Sequence, residues 1–317
     1  LQTDVVFDET INQTGLDQYK VLVMMDCDVI TESIQQAIQD FQTRGGIVIA
    51  DERVSPAVKP DIRISSYTRS GKADLDKQEL QKKAAELRQA LTGKYSRYVD
   101  SSNPNVVPYC RRASHADYIF VVNDNREFGD YVGHHGRVME IGLPAESTLS
   151  VNRQDGYFYD LVQHQQVNMK LSNQQQTSNV KLGPGAGGIY LRTDQPIKRV
   201  AVDVPSALKR GEAGTVTIQV LDEQGTPVAA VIPVEVSIED AEGRVAEMSG
   251  YRALQDGEQK FQVQIAPNDK AGVWIVRVKE LASGKSTTSW FRVADDNSAV
   301  KPHGQNIKGF NPEQPAG

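Results

Sequence analysis

Residues 16–50 read LDQYKVLVMMDCDVITESIQQAIQDFQTRGGIVIA, which is two apolar runs separated by a segment with helical periodicity. Lys20–Met25 and Gly46–Ala50 are short and rich in aliphatic residues, as is typical of strands buried on both faces of a parallel sheet. The apolar residues between them recur with the spacing of one helical face: Ile34, Ala37, Ile38 and Phe41. The pattern predicts a βαβ unit, whose crossover we expect to be right-handed.

The residues before this unit predict an open α/β sheet that is incomplete on its N-terminal side. Val5–Phe7 has the composition of a further interior strand, and Leu1 is not an initiator methionine. A sheet that lacks its first βα unit would leave apolar strand and helix faces uncovered. We therefore expect the chain to be the C-terminal part of a longer polypeptide, with the opening unit encoded ahead of Leu1.

Residue types typical of helix ends, loops and helices indicate the limits of the predicted helix and the structure of the segment that follows it. Thr31 is placed to cap the helix, and Gly45 with Gly46 can end it in a left-handed conformation. Ser55–Gly71 is polar and contains two prolines, which predicts a loop. Leu75–Leu91 predicts a second helix. Its apolar face would consist of Leu80, Ala84, Leu87 and Leu91.

After Pro104 the sequence changes to short runs of β-branched and aromatic residues separated by turn-forming residues, which is typical of antiparallel sheets. The first group of predicted strands is Tyr118–Val122, Leu149–Val151, Gly156–Leu161, Val180–Leu182 and Gly188–Leu191. The second group consists of the runs KRVAVDV, TVTIQVL, PVEVSI, KFQVQI, VWIVRV and SWFRV, between Ile197 and Val293. Each group predicts a β-sandwich.

The predicted fold class is α/β plus all-β, with a partial flavodoxin-like parallel sheet followed by two β-sandwiches, the last immunoglobulin-like. We place the α/β domain at 1–104, the first sandwich at 105–194 and the second at 195–295. Residues 296–317 are polar and without periodicity, so they predict a tail.

Composition excludes some classes of function. The 317 residues carry a net charge of −6 with Lys and Arg scattered, which argues against a nucleic-acid partner. No apolar run approaches the roughly 18 residues that would predict a transmembrane segment. Cys27 and Cys110 form no disulfide framework; two buried thiols are the favoured interpretation, with a bridge between them as the alternative.

Three stretches resemble a known group of proteins. Residues 16–50 resemble the glutamine-amidotransferase-like domain, called the trimerisation domain, that follows the barrel in prokaryotic β-galactosidases. Residues 118–144, YIFVVNDNREFGDYVGHHGRVMEIGLP, resemble the start of the β-sandwich that follows such a domain in bacterial proteins of glycoside-hydrolase type. Residues 156–167 and 182–191, GYFYDLVQHQQV and LGPGAGGIYL, resemble the strands that close those sandwiches.

The resemblance implies a non-catalytic accessory or oligomerisation region of a larger glycoside-hydrolase-like bacterial protein, with sandwiches for docking or presentation. It implies no cofactor, and as partners the upstream polypeptide and further copies of the chain. Class I amidotransferases carry a nucleophilic cysteine in a glycine-rich elbow, whereas Cys27 lies between Asp26 and Asp28, which would raise the pKa of a thiol. Tandem sandwiches of this kind favour secretion or a place in the cell envelope.

Two other functions remain open. A carbohydrate- or cell-surface-binding module would need exposed aromatic side chains, and Trp274 and Trp290 are the candidates for stacking on sugar rings; the alternative is that they fill the core. A hydrolase would use the carboxyl edge of the parallel sheet, where open α/β sheets bind ligands. Its candidate residues are Asp26, Asp28, Asp51 and Glu52.

Several polar motifs contain residue types that also occur in ligand sites. Asn123, Asp124, Asn125 and Asp130 place oxygen atoms at short spacing, as a cation site would, but the register is not that of an EF-hand and a structural loop is favoured. The His134–His135 pair favours a loop or an interface, since adjacent strand residues face opposite ways. The glycine-rich run 183–188 precedes a strand and predicts a turn, not a phosphate loop. No metal site is predicted.

Overall fold

The computed structural model describes residues 3–132 and 137–294 of the chain. By internal contacts the chain divides into two compact units. The first holds the residues up to Arg97 together with Arg126–Leu143, and the second holds Tyr98–Asn125 and the residues from Pro144 onward. Each unit is described by itself.

The described residues are mostly β, as the sequence predicts for the chain after Pro104. The helices are α1 Asp8–Thr14, α2 Glu32–Thr43 and α3 Ala73–Ala90. The first eight strands along the chain are β1 Val21–Met24, β2 Ile47–Ala50, β3 Ile62–Arg63, β4 Val99–Ser101, β5 Val106–Ala113, β6 Ala116–Asn123, β7 Arg126–Val132 and β8 Arg137–Gly142. The next are β9 Ala145–Val151, β10 Tyr157–Asp160, β11 Gln165–Val167, β12 Lys170–Ser172, β13 Gln175–Leu182 and β14 Gly187–Thr193. The last are β15 Arg199–Asp203, β16 Ala207–Lys209, β17 Ala213–Leu221, β18 Ile232–Glu239, β19 Gly250–Leu254, β20 Glu258–Gln264, β21 Gly272–Glu280 and β22 Ser286–Ala294.

The first unit contains a parallel sheet in the order β1-β2-β3. The predicted βαβ unit is present: β1 and β2 pair in parallel from Val21↔Ile47 to Met24↔Ala50, with α2 between them in sequence. The hydroxyl of Thr31 accepts the Ile34 N–H at 3.4 Å and caps α2. The apolar stripe of α2 packs on one face of the sheet because its spacing matches the helical repeat. The buried residues of this contact are Ile34, Ile38 and Phe41 from α2, and Leu22, Met24, Val48 and Ala50 from the sheet.

The opposite face of the sheet is covered only in part. Ile49 and Ile62 are buried there with Leu91, which follows α3. No residue within α3 itself is buried, and Leu80 is exposed, so the predicted apolar face of this helix is covered only towards its C-terminal end. The prediction of a helix here is confirmed.

Two predictions for the first unit need correction. Val5–Phe7 is not a strand: the segment is irregular, Val5 and Phe7 are exposed, and it leads into α1. Asp8 and Glu9 in the first turn of α1 favour a helix N-terminus there through the helix dipole. The predicted loop Ser55–Gly71 contains β3, which is too short to carry a sequence pattern and forms by pairing with β2.

The hairpin of β7 and β8 belongs to the first unit although it lies between strands of the second in sequence. The ammonium of Lys77, on α3, donates to the backbone oxygen of Arg126 at 2.7 Å. The pair His134–His135 lies outside the described residues, as do residues 296–317, so the predictions for them are untested.

In the second unit, two sheets enclose the first apolar core. Their strand orders are β11-β10-β14-β6-β5 and β12-β13-β9-β4. All five predicted strands of this region are present as β6, β9, β10, β13 and β14, with longer bounds. The core between the sheets consists of Val106, Ile119, Val121, Phe158, Ala145, Leu149, Val151, Val180 and Leu182. We call this part the first sandwich.

The second sandwich packs a sheet of order β15-β17-β20 on a sheet of order β16-β22-β21-β18-β19. All six predicted strands are present. The short strand β16 and the more polar strand β19 carry weak patterns, and the sequence analysis missed them. Inward positions alternate with outward ones, so Val216, Ile218 and Val220 of β17 are buried.

The two sandwiches share apolar packing. Tyr159 and Leu191, on the face of β10 and β14 that points away from the first core, are buried in the core of the second sandwich. The Ile197 N–H donates to the Tyr159 hydroxyl at 2.7 Å, and the Tyr118 hydroxyl donates to the Val231 oxygen at 2.8 Å. Burying this area between the modules opposes their separation.

Among the helices of the described residues, none combines the length and the hydropathy that crossing a lipid bilayer requires.

Candidate functional site

The outer edge of the parallel sheet is one candidate surface. β1 pairs with β2 on one side, and on its other side it has no strand partner among the described residues. Val23 and Met25 point to the face opposite α2 and keep 43% and 40% of their surface exposed. Parallel sheets are normally covered on both faces, so an exposed apolar edge strand of this kind is unusual.

The carboxyl edge of the same sheet holds the four predicted acidic residues. Asp51 follows β2 and is only 1% exposed. One of its oxygens accepts the Asp26 N–H at 3.0 Å and the other accepts the Arg53 N–H at 3.1 Å. The carboxylate therefore joins the ends of β1 and β2, and this structural use occupies both oxygens.

The other three carboxylates are more exposed than Asp51. Asp26 is exposed and lies 3.3 Å from the Arg53 guanidinium, and Asp28 is exposed. Glu52 accepts hydrogen bonds from the hydroxyl and the N–H of Ser66, which lower its pKa to about 2. A general acid at neutral pH needs a raised pKa, so Glu52 is tuned in the opposite direction. The catalytic interpretation of this edge stays a prediction.

Cys27 lies beside the same edge. Its thiol donates to the backbone oxygen of Met25 at 3.4 Å. Burial, and then the neighbouring carboxylates with Asp51 first, raise its pKa. A nucleophilic thiol needs a lowered pKa, which agrees with the sequence argument from Asp26 and Asp28.

The predicted cation loop uses its oxygens internally. Asn123 is 3% exposed; its side-chain amide donates to the Gly183 oxygen at 2.7 Å and its oxygen accepts the Asn125 N–H at 2.9 Å. The Asn125 side chain bonds to Asn105 and to the Pro144 oxygen. These contacts are those of a structural loop.

Asp124 and Asp130 are the other two residues of the predicted cation loop. The Asp124 N–H donates to the Asn105 oxygen, and the side chain of Asp130 lies outside the described part of the chain. Over residues 3–132 and 137–294, as far as side chains are described, no group of three His, Cys, Asp or Glu is placed to hold a metal ion.

The aromatic candidates separate into a core residue and a surface residue. Trp274 is 2% exposed, its ring lies 5.8 Å from that of Phe291, and its indole N–H donates to the Lys270 oxygen at 3.0 Å. It is therefore not available for stacking on sugars, and the core alternative holds. Trp290 lies opposite Ile275 on β21 and is half-buried. Tyr251 is exposed, but on β19, which is not next to the strand of Trp290.

A cavity of about 440 Å³, which no sequence motif predicted, lies between the two sheets of the first sandwich. Its apolar lining includes Leu149, Phe158, Val167, Met169, Val180, Leu182, Ala186 and Tyr190. Its polar lining includes Asp160, Gln163, Ser178, Asn179 and Lys181, and the glycines 183, 187 and 188 complete it. The volume lies in the range of small-molecule sites, which is roughly 300–1,000 Å³.

Strand alternation explains why the cavity is there. On β10, Phe158 and Asp160 point between the sheets, because the residue between them, Tyr159, is buried on the other face. Ser178 shares the inward face of β13 with Val180. At Gly188 the strand adds no side chain, and a Cβ there would lie 3.0 Å from the Tyr190 ring.

The sequence signal for the cavity was present but weak. Polar or small residues stand at inward positions of strands that are otherwise apolar: Asp160, Ser178 and Gly188. The glycine-rich run 183–188 forms a turn, as predicted, with the Ala186 N–H donating to the Gly183 oxygen at 3.1 Å. The same run forms one wall of the cavity.

Comparisons with known proteins identify no family. No protein-family profile matches the chain, and no curated protein matches it. Among solved structures it is similar to an exo-carrageenase of family GH42 from Bacteroides ovatus, with 13% identity over 58% of this chain and 23% of that one, at a TM-score of 0.32. It is also similar to a glycosyl hydrolase family 2 member from Bacteroides cellulosilyticus, with 14% identity over 55% of this chain and 24% of that one, at a TM-score of 0.26.

A third similar structure is the adhesin InvE from Yersinia pseudotuberculosis, with 13% identity over 61% of this chain and 60% of that one, at a TM-score of 0.25. The chain spans about a quarter of the length of the two hydrolases. At these identities and TM-scores the similarities say nothing about what this chain binds or catalyses.

Proposed function

We propose that the chain is a non-catalytic accessory region of a larger glycoside-hydrolase-like protein, and that its α/β unit mediates self-association. On this proposal, residues 1–104 are a partial amidotransferase-like, flavodoxin-like domain. Residues 105–194 and 195–295 are sandwiches for docking or presentation, the second immunoglobulin-like. Secretion or a place in the cell envelope belongs to the same proposal.

The observation that carries the proposal is the uncovered edge of β1. Val23 and Met25 are exposed on one face, and one side of the strand has no partner among the described residues. Edge strands with free backbone groups and apolar side chains readily pair with another chain unless charge or a covering element prevents it. The apolar run of β1 contains neither charge nor proline.

A second copy of the same chain is the occupant that the flanking charges favour. The exposed Lys20 precedes β1 and the exposed Asp26 follows it. Two β1 strands that pair antiparallel about a two-fold axis centred near Val23 would bring Lys20 of each copy opposite Asp26 of the other. Such self-complementarity is what an isologous dimer interface requires.

The non-catalytic part of the proposal is supported by the use of the polar groups at the carboxyl edge. Asp51 holds two backbone N–H groups, Glu52 has a lowered pKa and Cys27 a raised one. None of these is the state that an acid catalyst or a thiol nucleophile needs at neutral pH.

Sedimentation velocity over a range of protein concentrations tests self-association. We expect the wild type to associate reversibly and Val23→Lys to weaken association by at least about tenfold, because a lysine would be buried unpaired at the interface. Val245→Lys is the matched control, since Val245 is also exposed but lies in the second sandwich. Lys20→Glu should weaken association through repulsion of Asp26. A wild type that stays monomeric at every concentration contradicts the proposal.

A further inference from the structure

The cavity of the first sandwich presents polar atoms that the protein leaves unpaired. The Asp160 carboxylate accepts the N–H groups of Val162 and Gln163 at 2.8 and 3.0 Å through a single oxygen, Oδ1. Among the described residues, no hydrogen bond ends on its Oδ2, on the Ser178 hydroxyl or on the Tyr190 hydroxyl. Asp160, Ser178 and Tyr190 are half-buried, so these atoms lie open to the cavity and are available to hydrogen-bond a ligand.

The hydrogen-bonding character of these groups is defined. Burial, and then the nearby carboxylate of Asp160, raise the pKa of Tyr190, so its phenol stays protonated and can donate. Ser178 can donate and accept, and the Asp160 oxygen accepts. Asp160 and Tyr190 are directly opposite each other on β10 and β14, so their groups reach the same part of the cavity.

The remaining lining is apolar and restricts the ligand further. Phe158, Val167, Met169 and Leu149 form a surface that suits C–H groups. A wholly apolar ligand would leave the three polar groups unpaired, which is costly. An anion would be repelled by Asp160, and the cationic side chain of the lining, Lys181, has its ammonium 2.8 Å from Glu146 and is 77% exposed.

We propose that the cavity between Phe158, Asp160, Ser178 and Tyr190 binds the terminal one or two rings of a neutral carbohydrate. A pyranose ring combines an apolar C–H face with hydroxyl groups that donate to a carboxylate and accept from a phenol, which is the combination this lining offers. The site is distinct from the edge of β1, so the inference goes beyond self-association and does not depend on it.

The test measures binding to the full chain by isothermal titration calorimetry. The ligands are four neutral disaccharides: maltose, cellobiose, lactose and a neutral galactan disaccharide. We expect at least one sugar to bind. Tyr190→Phe and Ser178→Ala should each weaken that binding by about fivefold to tenfold, the effect of losing one ligand hydrogen bond. Ser150→Ala is the matched control, because Ser150 lies on the outer face of β9 next to the buried Leu149. It should leave the affinity unchanged.

Three results would overturn the proposal. The first is that no neutral disaccharide binds to the wild type at millimolar concentration. The second is binding that Tyr190→Phe and Ser178→Ala leave intact while both variants keep the wild-type unfolding temperature. The third is binding of a primary amine or an anionic sugar in preference to every neutral one. Failure of self-association would change none of these measurements.

Discussion

The guanidinium of Arg192 lies 2.7 Å from the carboxylate of Asp194, and the Arg192 side chain is only 2% exposed. The same guanidinium lies 3.3 Å from Asp155 and 3.6 Å from Asp117, of which Asp117 is also buried. A buried cation of this kind is tolerated because several acceptors surround it. The first sandwich therefore contains a buried charged cluster as well as the cavity.

Removing the charge of Arg192 should destabilise the second unit. Arg192→Met leaves Asp117 buried with one guanidinium partner fewer, and breaking a buried pair in this way costs about 3 kcal/mol. Urea denaturation followed by circular dichroism measures the loss in the free energy of unfolding. Arg199→Met, at an exposed arginine, serves as the control and should change stability by at most about 0.5 kcal/mol. Equal effects of the two substitutions would show that the buried cluster contributes nothing specific.

Gly156 is required by the same arginine. Its φ is +110°, and a Cβ would lie 2.5 Å from Nε of Arg192. Gly156→Ala should therefore destabilise the protein by about 1–3 kcal/mol. At Gly243, where φ is +77° and a Cβ would meet nothing within 4 Å, alanine reports the backbone cost alone. The prediction fails if Gly156→Ala costs no more than Gly243→Ala.

Tyr159 connects the two sandwiches through a hydrogen bond as well as through packing. Tyr159→Phe keeps the ring but leaves the Ile197 N–H buried without its acceptor, which costs about 1–3 kcal/mol. Tyr157→Phe, at a side chain on the same strand that is 37% exposed, should be close to neutral. Differential scanning calorimetry gives both shifts in one experiment, and an unchanged melting temperature for Tyr159→Phe would refute the role of the bond.

The two thiols should react slowly with alkylating agents. Burial, and then the charge of Asp117, raise the pKa of Cys110 to about 11, and the pKa of Cys27 is raised as well. Because the thiolate is the reactive form, the rate of alkylation at pH 8 should be well below that of a free cysteine and should rise up to about pH 11 for Cys110. Mass spectrometry after timed iodoacetamide treatment resolves the two sites. Rapid modification of either at neutral pH would contradict the assignment.

The sequence predicted the elements whose apolar residues follow one period over a long enough stretch. The stripe of α2 and the alternation in β17, β18 and β21 are of this kind, because burial on one face imposes the pattern. The short strands β3, β11 and β16 were not predicted, because two or three residues are too few to show a period. These strands are stabilised by pairing with other strands. Val5–Phe7 has a strand-like composition but exposed side chains, so composition alone misled there.

The candidate sites were harder to predict than the elements. Topology predicts that the strand-end carboxylates share one edge, but no sequence pattern shows that both oxygens of Asp51 accept backbone N–H groups. Whether Trp274 is buried depends on which face of β21 points inwards. Alternation alone allows either face to do so. The cavity is space between two sheets that their side chains leave empty. Because those side chains come from distant strands, no local sequence pattern predicts it.

The burial of Tyr159 and Leu191 in the core of the second sandwich has a practical consequence for dissecting the protein. If the chain were cut near residue 194, the first fragment would expose an apolar patch and the second would have an incomplete core. Each fragment would then be prone to aggregate. Expressing the sandwiches one at a time would then measure aggregation rather than function, whereas the full chain keeps their shared core intact.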